Sequence, residues 1–234
     1  MKTCAIIPIK SFSKAKTRLK LSSEKTQIFC SVMFEEVLQT VADSACIEKI
    51  ILVSKEEEVF KIGRKFNCIE ICDDDESGVN NAVSLADSWI SNNGFLRSVV
   101  FPQDIPFMTT QDIDSLFNFC KNERSVVLVP SRHFDGTNAL VRTPNDIMKT
   151  RYDEGSYAFQ FESAMMNTSH YSLALIQRIM LDIDSYEDVD FVSEGVKIFV
   201  KRSKTDQSGE GMTKGIPYFS NQNYCPVISL KNWL

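Results

Sequence analysis

The sequence predicts an α/β fold built on a mainly parallel central sheet that becomes mixed toward its end. Three observations carry this expectation. Short β-branched runs alternate with longer helical patterns over the first two thirds of the chain, the signature of βα units. The helical segments place apolar residues three and four apart, as a helix laid on a sheet requires. With 234 residues the chain can bury one large core but is short for two full-sized domains, so one domain is expected.

The first strand is read at residues 4–9, and others follow at 49–53, 68–72, 98–101 and 125–129. Residues 23–41 form a long amphipathic helix, with Phe29, Met33, Val37 and Val41 on one stripe and Ser22 or Ser23 as its N-cap. Residues 80–90 and 112–120 repeat the arrangement, the latter through Ile113, Leu116, Phe117 and Cys120. After Pro130 come a polar loop, a short strand at 139–141, a helix at 157–167 and an acidic stretch near Asp182 and Asp184. The body is expected to span residues 1–200, and 201–234, rich in Gly, Ser, Lys, Gln and Asn, to be a loosely ordered extension.

Composition excludes several functions. A net charge of −5 lacks the basic footprint of a nucleic-acid binder. The apolar runs are too short to span a bilayer, and the one at 4–9 is shorter than a signal-peptide core, so a cytoplasmic protein is expected, with neither membrane nor nucleic acid as partner. Seven scattered cysteines without a CxxC pair, and only two histidines, suggest reduced thiols used as small core residues. The charge is nonetheless unevenly placed. Lys2, Lys10, Lys14, Lys16, Arg18 and Lys20 precede the first acid, Glu24. Such a stretch suggests a local anion site.

Ligands of parallel α/β sheets collect at the carboxyl ends of strands, so the residues after each strand carry the functional weight. The loop after the first strand bears Lys10, Lys14, Lys16 and Arg18. It could wrap a polyphosphate or be a solvated basic loop. It matches neither GxxxxGK[ST] nor GxGxxG. After the fourth strand, Pro102-Gln103-Asp104-Ile105-Pro106 holds Asp104 on a proline-restricted backbone, where it could bind Mg²⁺ or cap a turn. Asp184 or Ser185 can cap a following helix, which leaves Asp182, one strand position earlier, as the better second metal ligand. The run Asp73-Asp74-Asp75-Glu76 reads either as a solvated turn or as a metal site. Gly136-Thr137-Asn138-Ala139-Leu140, with the later Gly155-Ser156, offers amides and hydroxyls to a small anion or simply forms a turn. His133 and His170 have no partner spacing for nucleophilic catalysis.

Taken together, Pro8-x-Lys10, Lys16-Thr17-Arg18-Leu19, Gly78-x-Asn80-x-Ala82, Pro102-x-Asp104-x-Pro106, Gly136-Thr137-Asn138-Ala139-Leu140, Gly155-Ser156 and Asp182-x-Asp184 occur in one order over about residues 1–193. In this the chain resembles the archaeal 2-phospho-L-lactate guanylyltransferase family of coenzyme F420 biosynthesis. The resemblance implies a three-layer Rossmann-like nucleotidyltransferase fold, a homodimer and Mg²⁺. It implies transfer of GMP from GTP to 2-phospho-L-lactate, giving lactyl-2-diphospho-5′-guanosine and pyrophosphate. Lys10, Lys16 and Arg18 would then meet the GTP phosphates, with Gly78 and Asn80 near the nucleoside. Asp104 and Asp182 would hold Mg²⁺, while Thr137, Gly155 and Ser156 hold the acceptor. Lys10, Lys16, Arg18 and Asp104 would be the catalytic set. Two departures bear on the acceptor. Gln160 stands where the family has a His, and Asp153 stands where a Gly follows the aromatic, here Tyr152. Alternatives are a nucleotidyltransferase acting on phosphoenolpyruvate or another phosphorylated acceptor, one acting on a sugar or a molybdopterin-type cofactor, and a catalytically silent GTP-binding protein.

Overall fold

The computed structural model describes residues 2–12, 23–153, 155–184, 190–192, 195–200 and 212–217. The chain divides into two compact units, residues 1–11 with 33–182 and residues 12–32 with 183–234. This division differs from the expected 1–200 body and 201–234 extension.

In the first unit, β1 (Thr3–Pro8), β2 (Lys49–Ser54), β3 (Ile69–Cys72), β4 (Arg97–Val100), β5 (Ser125–Pro130), β6 (Thr137–Thr143) and β7 (Tyr171–Leu173) make one sheet in the order β3-β2-β1-β4-β6-β5-β7. Strand β6 runs antiparallel to both its neighbours, and every other pair in this sheet is parallel. The mixed, mostly parallel sheet is therefore as expected. The strand order reverses beside β1, which lies between β2 and β4. The crevice at the carboxyl ends of β1 and β4 is the switch point where such sheets bind ligands.

The helices are α1 (Ser23–Ala42), α2 (Glu57–Arg64), α3 (Val79–Asn92), α4 (Thr110–Phe117) and α5 (Ser156–Asn167). The predicted stripe of α1 is buried at Phe29, Met33, Val37 and Val41. Its expected cap at Ser22 lies outside the described residues. Cys4, Ile6, Ile51, Val53 and Val100 pack with Ala82, Val83, Ala86 and Ile90 of α3, while Val126, Leu128 and Leu140 pack with Ala164 of α5. Tyr152 joins both groups, so α3 and α5 cover the same face. Leu52 points the other way by strand alternation and meets Gly63 of α2, where a β-carbon would collide with its side chain. Helices thus lie on both faces of the sheet. Helix α2 was not anticipated: its buried apolar side chains are confined to Val59, Phe60 and Ile62, beside charged residues on every side.

Two ion pairs fix this unit internally. Arg142 on β6 is 1% exposed, and its guanidinium donates to both oxygens of Asp87 on α3 at 2.8 and 2.6 Å. The second corrects the reading of Asp112 as the start of a helix. Thr109 is the N-cap of α4, and the Asp112 carboxylate accepts its N–H at 2.9 Å and its hydroxyl at 2.6 Å, closing a capping box. Arg178 donates to the same carboxylate at 2.6 and 2.9 Å. Burial alone would raise the Asp112 pKa, but the bonds from Arg178 and Thr109 outweigh it and hold the carboxyl below its ordinary value. A depressed carboxyl contributes stability above its unfolded pKa and loses it as pH falls through the lower folded value. Asp112→Asn is therefore expected to cost about 2 kcal/mol at pH 7, toward the low end because Arg178 is 43% exposed. Denaturation between pH 7 and pH 2 should show the difference from wild type shrinking as the pH falls.

The second unit contains β8 (Asp190–Val192), β9 (Gly195–Val200) and β10 (Met212–Pro217), an antiparallel sheet in the order β10-β9-β8. Within the expected loose extension, residues 212–217 are therefore a paired strand, and the rest of 201–234 lies outside the described residues. Among the described residues no helix is long and apolar enough to cross a membrane.

Candidate active site

The sheet brings most of the predicted residues to one edge. Lys10 follows β1 and is exposed, beyond an Ile9 whose N–H donates to Val53 at 2.9 Å. Asp104 follows β4 and is half-buried. Because β6 runs antiparallel, with Val100 opposite Leu140, its first residues Thr137 and Asn138 lie at this same edge. Lys16 and Arg18 lie outside the described residues.

Two helices begin here in the same manner. Gly78 precedes α3 with φ 113°, and Gly155 precedes α5 with φ 70°, conformations that side-chain-bearing residues rarely adopt. Neither helix has a side-chain cap or an acidic residue in its first turn. Such N-termini suit anions. Asn80 in the first turn of α3 accepts the Tyr152 N–H on its Oδ1 at 2.8 Å, tying α3 to the segment that leads into α5. The Ser156 hydroxyl donates to Thr137 Oγ1 at 3.2 Å, tying α5 to β6. Within the predicted nucleoside pair Asn80 is therefore tied to Tyr152, and within the predicted acceptor set Thr137 is tied to Ser156.

Asp182 needs a correction. It does not lie in a strand but follows the turn at residues 177–179, so the alternation used to choose it over Asp184 does not apply. Asn138 holds it instead: buried Nδ2 donates to Ile179 O at 3.0 Å and to Asp182 Oδ1 at 3.2 Å. The helix that Asp184 or Ser185 was expected to cap falls on residues 185–189, outside the described ones. Asn138 lies in the Gly136-Thr137-Asn138-Ala139-Leu140 segment but is not among the predicted site residues.

The family-divergent positions find physical explanations. Asp153 is exposed and paired with Arg151 at 3.3 Å, and the Arg151 guanidinium lies 3.7 Å from the Phe159 ring centroid. Its charge is thus turned outward and offset. Gln160 is fully buried, and its Nε2 donates to Arg151 O at 3.1 Å, bracing the backbone at Arg151 from within α5. The acidic run after β3 is a braced turn: Asn81 donates to Asp73 at 2.8 Å, and Glu76 holds Ser11 and Lys55. Among the described residues no group of three or more His, Cys, Asp or Glu side chains could hold a metal by itself. His133 and His170 are exposed, and the six described cysteines form no disulfide.

The chain is 28% identical over 197 residues to the phosphoenolpyruvate guanylyltransferase of Conexibacter woesei, covering 83% of this chain and 88% of that one. It is 26% identical over 191 residues to the 2-phospho-L-lactate guanylyltransferase of Methanothermobacter thermautotrophicus (81% and 83% covered), and 26% over 196 residues to the 3-phospho-D-glycerate guanylyltransferase of Colwellia psychrerythraea (82% and 92%). A crystal structure from Desulfovibrio desulfuricans G20, described as a nucleotide-diphospho-sugar transferase, superposes with a TM-score of 0.65 at 12% identity over 99% of this chain and 95% of that one, a likeness of fold. The family described as guanylyl transferase CofC like matches residues 3–197, which include every strand-end residue above, and the chain belongs to that family of nucleotidyltransferases.

Proposed function

We propose that the protein transfers GMP from GTP to the phosphate of a three-carbon phosphorylated carboxylic acid, 2-phospho-L-lactate in the first instance, releasing pyrophosphate. The observation that carries this reading is the tying of two uncapped helix N-termini, through Asn80–Tyr152 and Ser156–Thr137, at the edge formed by the carboxyl ends of β1 and β4 and the amino end of β6. One N-terminus suits the nucleotide and the other the acceptor's phosphate. Lys10, with Lys16 and Arg18 of the basic loop, neutralises the triphosphate. A hydroxyl that accepts from Ser156 keeps its own proton to donate, so Thr137 can bond an acceptor oxygen.

Asp104 and Asp182 offer hard oxygen donors, and the lack of a larger acidic cluster among the described residues suits Mg²⁺, which takes one or two carboxylates and completes its shell with water and substrate phosphates. When bound, Mg²⁺ supplies charge neutralisation at the α-phosphate and the pyrophosphate leaving group. The acceptor brings an ionised phosphate oxygen as nucleophile, so the chain needs no general base. Its residues orient the two substrates in line and offset their charge. A cytoplasmic homodimer completes the reading, and sedimentation at micromolar concentration checks its stoichiometry.

A second acceptor, phosphoenolpyruvate, is favoured by the name of the Conexibacter woesei relative. Pyrophosphate release from GTP with 2-phospho-L-lactate, phosphoenolpyruvate and 3-phospho-D-glycerate in parallel separates them, and GTP binding without turnover on any acceptor would indicate a silent binding protein. Thr137→Val should raise the acceptor KM about tenfold while leaving the KM for GTP within about twofold, as steady-state kinetics would show.

A further inference from the structure

Glu76 ends the acidic turn after β3, and neither a metal nor a substrate role accounts for it. Its backbone stands at φ 45°, a left-handed conformation unfavourable for a side-chain-bearing residue. Its carboxylate spans three strand ends. Oε1 accepts both the N–H and the hydroxyl of Ser11 at 2.8 Å each, and Oε2 pairs with Lys55 Nζ at 2.8 Å. The turn beneath it is fixed as well, by Glu76 N–H to Asp73 O at 3.1 Å, Asp73 N–H to Ser54 O at 3.0 Å and the Asn81 amide on Asp73 at 2.8 Å. Asn81 neighbours Asn80 on the first turn of α3. The Ser11 side is buried, and Lys10 immediately before it is exposed.

A carboxylate beside a triphosphate site should, by charge alone, weaken nucleotide binding. We infer that Glu76 is a positioning residue for the nucleotide: it pins the Lys10–Ser11 segment, which precedes the basic residues 14–20 in the chain, to the ends of β2 and β3 and to the start of α3. This rests on the proposed guanylyltransferase reading. The strained backbone is the consequence of bringing the carboxylate under the β1 exit, where the N–H and hydroxyl of one residue and the ammonium of another converge on it. Lys10 then approaches the phosphates from a fixed root instead of a free loop.

Charge and position predict opposite signs, which makes the test decisive. Glu76→Gln keeps an oxygen for Ser11 while removing the charge, and Glu76→Ala removes both. Positioning predicts that Glu76→Ala raises the KM for GTP about tenfold with kcat and the acceptor KM within about twofold. Glu76→Gln should recover most of that loss. An unchanged or lower KM for GTP in Glu76→Ala would overturn the inference, as would equal losses in kcat and both KM values tracking a fall in Tm. Hydrogen exchange of the Ser11 amide provides a readout that needs no turnover. It should accelerate in Glu76→Ala, and unchanged exchange would overturn the tether. If the wild type turns over no acceptor while Ser11 exchange still responds to Glu76→Ala, the functional reading has failed and the tether stands.

Discussion

Asp104→Asn should lower kcat/KM for pyrophosphate release by about 10²–10³-fold, the usual cost of removing one preorganised charge-stabilising group from a transfer site. The substitution preserves side-chain shape and removes only the charge, so Tm should change little. Asp104 stands beyond the end of β4, beside the topological switch point and at the same sheet edge where Asn138 holds Asp182. If Asp104 helps bind Mg²⁺, the variant should also require a higher Mg²⁺ concentration for half-maximal rate. A variant with wild-type rate and unaltered Mg²⁺ dependence would remove Asp104 from the chemistry and return it to a turn-capping role.

Asp87→Ala should destabilise the protein by about 3–5 kcal/mol, because it leaves the 1%-exposed Arg142 guanidinium buried without its counter-ion. For a chain of this size that corresponds to a fall in Tm of about 10 °C. The cost reflects an orphaned charge more than the worth of the pair. Joint replacement of Asp87 and Arg142 by apolar residues of similar volume should therefore recover most of the loss. Urea denaturation of the single and double variants measures both numbers. A loss below about 1 kcal/mol for the single variant would mean that Arg142 reaches solvent. The pair also reaches the site: Tyr152, whose buried phenol is held above its ordinary pKa first by burial, feels both charges and carries the N–H that Asn80 accepts.

Much of the sheet was legible because its strands are short β-branched runs between amphipathic segments, and Phe29, Met33, Val37 and Val41 took up the expected buried stripe. Strand β7 was not, because three residues hold too little alternation, and neither was helix α2, whose buried apolar side chains are only Val59, Phe60 and Ile62 among charged residues. At the site, residue type and strand-end position made Asp104, Thr137, Gly155 and Ser156 candidates, whereas Gly78 and Asn80 came only with the family resemblance. The contacts that join them could not be read, since Asn80 to Tyr152 spans 72 residues and Asn138 to Asp182 spans 44. Asp182 was chosen through a strand periodicity that its segment does not have, and Asn138 supplies the physical reason for its place. Asp153 and Gln160 are the two departures from the family pattern that bear on the acceptor. Arg151 links them, pairing its guanidinium with one and its carbonyl with the other. Glu76 was visible only as one acid in a run of four, and its partners Ser11 and Lys55, just beyond β1 and β2, are what distinguish it.

The central claim is that GMP passes from GTP to an acceptor phosphate at the β1–β4–β6 edge. Its most direct test follows the α-phosphorus. GTP labelled there is incubated with Mg²⁺, the protein and 2-phospho-L-lactate or phosphoenolpyruvate, and the products are separated. The account predicts that the label enters a guanosine diphosphate diester of the acceptor, with one pyrophosphate released per diester and neither formed without acceptor. Label recovered as free GMP independently of acceptor, or an acceptor modified by the γ-phosphate with GDP left behind, would contradict it.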